Sequence, residues 1–117
     1  MTFGGTTTIP QGPGITGINE SWNGTSWTEL NDLNTARVNL TGAGTNTAAL
    51  AISGENATVL LANNESWNGT SWTEVGDVNT ARGDPGGCGA TNTAALIFGG
   101  QVATPAPTAV TESWNGT

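Results

Sequence analysis

The sequence contains no histidine, no lysine and no tyrosine, so most side chains that enzymes use as general bases or activated nucleophiles are missing. Carboxylates would have to carry any acid–base chemistry alone. Glu20 and Glu29 offer such a pair for a glycosidase-type hydrolase, but both recur in a second copy, which favours a structural role. We therefore expect a protein that is not an enzyme and that uses neither a cofactor nor a metal ion.

Positive charge is equally scarce. Nine carboxylates stand against two arginines among 117 residues, which gives a formal net charge of −7. Nucleic acids and anionic membranes are bound by clustered cations that neutralise phosphate groups. We expect neither as a partner.

A single cysteine, Cys88, excludes an internal disulfide framework. It lies close to the position that Ala43 has in the preceding repeat, which predicts a small buried thiol. No stretch approaches the roughly 20 apolar residues of a membrane span, and the start shows no signal-peptide pattern. The compartment stays open, with extracellular and virion-associated locations among the options.

What the sequence has in abundance is glycine, with 18 residues, together with a strong internal repeat. The decapeptide ESWNGTSWTE occupies residues 20–29 and 65–74, and its first six residues return at 112–117. Thr-Ala-Arg and Thr-Asn-Thr-Ala-Ala-Leu also occur twice, each at a spacing of about 45 residues. A period of this length indicates stacked supersecondary units. The glycines that punctuate the units include Gly54, Gly99 and Gly100.

An Asn-Gly pair lies between two strand-like segments in each repeat, and this dipeptide is the strongest short signal for a two-residue type I′ hairpin. In the first copy such a turn would place Trp22 opposite Thr25, with Trp27 as a diagonal neighbour on the same face. The positions that carry the pattern are Asn23, Gly24, Asn68 and Gly69 in the turns and Trp22, Trp27, Trp67 and Trp72 beside them.

Small and β-branched residues at 47–52 and 93–98 predict buried strands, and residues 38–44 suit another strand. The counterpart of the latter, residues 83–90, contains Pro85 and several glycines. It predicts an edge, a bulge or a loop that is poorly suited to pairing.

Four short strands per period fit one blade of a β-propeller. The chain resembles the kelch repeat family in Arg37 and Arg82, which open a unit, in Phe98-Gly99-Gly100, which ends a strand, and in the Trp of the following Ser-Trp-Thr segment. Trp22 and Trp67 stand where kelch units usually have tyrosine. The resemblance implies an all-β fold with propeller blades of four antiparallel strands.

The chain then divides into residues 1–34, the third and fourth strands of one blade; residues 35–79, a complete blade; and residues 80–117, the first three strands of the next. Two net blades cannot close a ring, because propellers have four to eight. We expect homo-oligomers to close it by sharing a blade at each junction. Six blades in a trimer are favoured, and four or eight blades remain alternatives.

Two interpretations stay open for the side chains that could bind a ligand. Trp22, Trp27, Trp67 and Trp72 suit packing between blades or stacking on a glycan. Arg37 and Arg82 suit pairing with a carboxylate or backbone carbonyl groups, or binding of a ligand.

The leading functional hypothesis is a non-enzymatic structural or binding module, such as one for adhesion or for recognition at a virion or cell surface. The alternatives are a lectin with one carbohydrate site per blade and a fragment or engineered piece of a longer propeller array with no independent function.

Overall fold

The computed structural model describes residues 1–7, 14–103 and 106–117, and within these ranges it contains twelve β-strands and no helix. The expected all-β class is confirmed. The strands are β1 (Thr2–Phe3), β2 (Asn19–Trp22), β3 (Trp27–Leu30), β4 (Thr41–Gly44), β5 (Ala49–Ile52), β6 (Asn64–Trp67), β7 (Trp72–Val75), β8 (Gly86–Thr91), β9 (Ala94–Phe98), β10 (Gln101–Ala103), β11 (Ala106–Pro107) and β12 (Thr111–Trp114).

The central sheet has four antiparallel strands in the order β4-β5-β6-β7. Strand β5, with the sequence Ala-Leu-Ala-Ile, is buried at every position because other sheets cover both of its faces. Small side chains on this strand therefore let the neighbouring layers approach closely.

Two three-stranded sheets flank the central one. The N-terminal sheet has the order β1-β2-β3, and the C-terminal sheet has the order β12-β9-β8. The sequence repeat makes β1, β2 and β3 the counterparts of β5, β6 and β7, and it makes β8, β9 and β12 the counterparts of β4, β5 and β6. A separate two-stranded ribbon joins β10 to β11.

Two apolar layers connect the three sheets. Leu50 and Ile52 of the central sheet pack against Ala95 and Ile97 of the C-terminal sheet. On the opposite face, Ala49, Ala51, Trp67 and Trp72 pack against Met1, Phe3, Leu30, Leu33 and Leu40. The core is thus a series of thin layers between sheets.

The glycine-rich segment after Pro85 forms β8 at the edge of the C-terminal sheet, with a register irregularity between Gly89 and Thr91. The expectation of an edge or bulge is confirmed, but the expectation of poor pairing is wrong. The glycines make room for β4, since a Cβ atom on Gly87 would lie 2.6 Å from the Thr41 side chain. Glycine is needed here for close packing of two strands.

The turns at Asn23 and Asn68 contradict the two-residue hairpin. Trp22 lies directly opposite Trp27, and Trp67 lies opposite Trp72, so each turn contains four residues. The reason is the asparagine side chain: Asn68 Oδ1 accepts hydrogen bonds from the backbone N–H groups of Thr70 and Ser71, each at 2.9 Å. Asparagine thus opens the turn, and only the glycine after it has positive φ.

Candidate functional site

The most elaborate polar site is an ion-pair cluster inside the central sheet, which we call the first clamp: Asn34, Thr35, Arg37 and Glu65. Arg37 Nη2 lies 2.8 Å from Glu65 Oε1. Its Nη1 donates to the carbonyl groups of Ser53 at 3.0 Å and Asn63 at 2.7 Å. One guanidinium therefore joins the ends of β5 and β6 to the segment that enters β4.

Glu65 receives further donors from that segment. The backbone N–H and the side-chain amide of Asn34 both reach Oε2, at 2.7 and 2.9 Å, and the N–H of Thr35 reaches Oε1 at 3.0 Å. Asn34 Nδ2 also donates to the carbonyl of Trp72 at 3.0 Å, which ties β7 to the cluster. The carboxylate is held by charge-assisted hydrogen bonds on both oxygens.

Neither side chain of the Arg37–Glu65 pair is exposed. Burial lowers the pKa of Arg37 from its ordinary value, and the charge and hydrogen bond of Glu65, followed by the charge of Glu74, oppose that decrease. Of the two interpretations of Arg37, pairing with a carboxylate and backbone carbonyl groups is the one that the structure shows. In this arrangement the buried Arg37–Glu65 pair connects strands.

The second clamp repeats this pattern in the C-terminal sheet with Asn79, Arg82 and Glu112. Arg82 pairs with Glu112, and Asn79 donates its N–H and its side-chain amide to Glu112 Oε2, each at 2.7 Å. Arg82 is fully buried, whereas the side chain of Glu112 is 11% exposed. Among the described residues, Asn79 has no hydrogen bond that corresponds to the one between Asn34 and Trp72.

The Glu-Ser-Trp segment that supplies Glu65 and Glu112 also occurs in β2, where its glutamate is Glu20. Glu20 has no clamp among the described residues. Its half-buried side chain makes no hydrogen bond or ion pair with the part of the chain that the structure describes. Beside it, the Oδ1 atom of Asn19 is buried without a hydrogen-bond partner. In the central sheet the counterpart atom, Asn64 Oδ1, accepts from the N–H of Ser53 at 3.1 Å. Within the described ranges, the N-terminal sheet thus has the acceptors of a clamp without its donors.

The tryptophans form two similar pairs with different surroundings. Ring centroids lie 5.3 Å apart for Trp67 and Trp72 and 5.5 Å apart for Trp22 and Trp27. The first pair is buried, with Trp67 Nε1 bonded to the Asn46 carbonyl. The second pair is 44% and 53% exposed. Only this second pair offers indole faces to solvent.

A cavity of about 250 Å³ lies between the central and C-terminal sheets. Its lining includes Leu50, Ile52, Gly76, Val78 and Trp114. In the layer between the central and N-terminal sheets, the ring of Trp72 occupies the corresponding space. Its centroid lies 5.0 Å from the centroid of the Phe3 ring, in an edge-to-face contact. The C-terminal sheet has no counterpart of β7 among the described residues, so no counterpart of Trp72 occupies this cavity.

Cys88 is exposed, so the prediction of a buried thiol is wrong. Its position does match that of Ala43, because Cys88 pairs with Leu96 as Ala43 pairs with Leu50. Ala43 is covered by the C-terminal sheet, whereas the outer face of that sheet has no covering layer in the described structure. Leu96 and Phe98 on this face are 43% and 45% exposed.

Sequence reasoning identified the arginines but missed the other members of the clamps. Asn34 and Asn79 precede the repeated Thr-Ala-Arg segment, and this recurrence was the available signal. Glu65 and Glu112 were visible only as parts of a repeat, because pairing across about 30 residues has no local pattern.

Within the described ranges, no group of three or more His, Cys, Asp or Glu side chains is arranged to hold a metal ion. None of the described segments forms a helix long and apolar enough to cross a membrane. No protein-family model matches the chain, and no curated protein matches it in sequence.

Proposed function

We propose that the chain is a non-enzymatic structural and binding module that builds a kelch-like β-propeller by association of identical copies. Each chain would supply two net blades of four antiparallel strands. The three sheets packed in series, with apolar layers between them, are consistent with neighbouring blades.

One observation carries this proposal: the two flanking sheets are complementary. The C-terminal sheet has counterparts of the first three strands of the central sheet, and the N-terminal sheet has counterparts of the last three. Leu96 and Phe98 are exposed on a face whose central-sheet counterpart is covered. Unpaired edges and exposed apolar faces favour association, and a shared sheet at each junction would satisfy both.

A ring of three chains and six blades is the favoured assembly, because kelch-like propellers commonly have six blades. Its acidic, loop-bearing surface suits adhesion or recognition at a cell or virion surface. Sedimentation equilibrium tests the assembly: a trimer has three times the 11.8 kDa mass of one chain. Two or four chains would instead indicate four or eight blades, and a folded monomer at every concentration would refute the proposal.

Binding of a glycan by Trp22 and Trp27 is a second candidate, favoured by their exposure and by Asn23 beside them. Aromatic faces next to amide groups can stack on sugars and hydrogen-bond them. A glycan array compared between the unaltered chain and a Trp27→Ala variant tests it. Absence of hits, or hits that survive the substitution, would rule this site out.

A further inference from the structure

We propose that the shared sheet combines β8 and β9 of one copy with β2 and β3 of the next, and that Glu20 of the second copy replaces Glu112 in the second clamp. This inference rests on the proposed assembly and specifies its interface. The partner is a second copy of this chain. In the single chain, β12 lies beside β9 in the place that β2 of the next copy would take, and β1 lies beside β2 in the place that β9 of the preceding copy would take.

The charge inventory points to this exchange. The sequence has two cations and three Glu-Ser-Trp acids, Glu20, Glu65 and Glu112. Arg37 is fully buried against Glu65. In an assembly of identical chains, the remaining donor for Glu20 is therefore Arg82 of another copy. Residues 20–25 and 112–117 are identical, so the exchange preserves the local chemistry.

One buried acceptor without a hydrogen-bond partner, Asn19 Oδ1, fits the same arrangement. In the central sheet, the Ser53 N–H directly after β5 donates to Asn64 Oδ1. By the repeat, the corresponding group directly after β9 is the N–H of Gly99. In the single chain the Gly99 N–H donates to the Val110 carbonyl at 3.1 Å. In the shared sheet, this N–H of one copy would instead reach the unpartnered Asn19 Oδ1 of the next. Strand β12 has Thr111 at that position and lacks the amide. A buried polar atom without a partner costs free energy, so the exchange is favoured.

The strand exchange would also give Asn79 a backbone carbonyl that corresponds to the one Asn34 reaches on Trp72. Asn34 bridges Glu65 on β6 and the carbonyl of Trp72 on β7. By the repeat, Asn79 of one copy would bridge Glu20 and the carbonyl of Trp27 of the next copy.

The cavity between the central and C-terminal sheets fits the indole of Trp27. Trp72 packs beside Phe3, whose counterpart in the central sheet is Ile52, and Ile52 lines the cavity. Trp27 is the counterpart of Trp72 and is 53% exposed. Strand exchange would carry this side chain into the cavity and remove a large apolar surface from water.

Of the two displaced strands, β12 pairs with β9 at four residues, whereas β1 has a shorter pairing. Strand β1 pairs with β2 at two residues only, Thr2 with Glu20 and Phe3 with Asn19. By the repeat, Leu96 and Phe98 of the preceding copy would replace Met1 and Phe3 against the central sheet. The exchange thus substitutes equivalent side chains and extends the pairing.

The experiment compares three matched Glu→Gln substitutions in the full chain by sedimentation equilibrium over a concentration series. Glu20→Gln should raise the concentration of half-dissociation by at least about tenfold, because it leaves Arg82 without its anionic partner in the shared sheet. Glu112→Gln should leave that concentration unchanged or lower it, since Glu112 competes with Glu20. Glu29→Gln, on the same hairpin as Glu20 but exposed, should have a much smaller effect, because its counterpart Glu74 acts on Arg37 through charge and makes no ion pair with it. Trp27→Ala, at a position that is 53% exposed in the single chain, should weaken association independently.

An unaltered chain that stays monomeric would refute both the assembly and the exchange. An unaltered chain that associates, but is dissociated by Glu112→Gln and not by Glu20→Gln, would refute the exchange alone. Equal effects of these two substitutions, or no effect of Glu20→Gln and Trp27→Ala, would likewise overturn it.

Discussion

Arg37 and Glu65 form an ion pair of 2.8 Å between Nη2 and Oε1 in the interior of the central sheet, with neither side chain exposed. The guanidinium also donates to three backbone carbonyl groups, those of Thr35, Ser53 and Asn63. A planar group with five donors can serve all of these acceptors at once. The pair therefore fixes how the entry to β4 meets the ends of β5 and β6.

We expect Glu65→Gln to lower the free energy of unfolding by about 3–5 kcal/mol, because a buried guanidinium would lose its counter-charge. Arg37→Lys should also destabilise the fold, since an ammonium group cannot reach the same set of acceptors. Urea denaturation followed by tryptophan fluorescence at fixed protein concentration measures both. Glu29→Gln, at an exposed position, should change stability by less than about 0.5 kcal/mol. Equal effects of Glu65→Gln and Glu29→Gln would contradict the structural role of the clamp.

Asn68 provides a test of the turn geometry. Asn68→Ala removes the acceptor of two backbone N–H groups and should cost about 1–2 kcal/mol. Asn68→Asp retains an acceptor oxygen at the same place and should cost less. The same denaturation experiment separates them. If the two variants lose equal stability, the side-chain acceptor does not stabilise the turn.

Gly89 tests the close approach at β8. A Cβ atom there would lie 2.4 Å from the Ala94 carbonyl oxygen and 3.0 Å from the Ala43 Cβ. Gly89→Ala should therefore destabilise the fold by about 1–3 kcal/mol through overpacking. Cys88→Ala, at the neighbouring position on the exposed face, is the control and should be nearly neutral. A neutral Gly89→Ala variant would show that β8 can move away from β4.

The repeat made the strands predictable, because the strand segments recur with their tryptophans and glycines in one order. The scarcity of the arginines in an acidic chain suggested pairing with a carboxylate, with ligand binding as the alternative. The hairpin register did not follow, because the Asn23 side chain competes with the backbone for the turn N–H groups.

Burial was the least predictable property. Trp22 and Trp67 have identical neighbours in the sequence over ten residues, yet one is 44% exposed and the other fully buried. The difference arises from the strands that cover each sheet, which no local pattern specifies. The same holds for Cys88 and Ala43, which occupy equivalent positions on covered and uncovered faces.

Cys88 therefore reports on assembly. Its thiol lies on the outer face of the C-terminal sheet with Leu96 and Phe98, and in the proposed ring this face packs against the next copy. We expect the rate of reaction with a chromogenic disulfide to fall as the protein concentration is raised through the point of half-association, because the assembled form covers the thiol. Stopped-flow absorbance on the native chain measures this rate, and the urea-unfolded chain gives the uncovered reference. Glu20→Gln should keep the thiol reactive to concentrations about tenfold higher than in the unaltered chain. A rate that stays constant while sedimentation shows association would mean that the copies meet through another face.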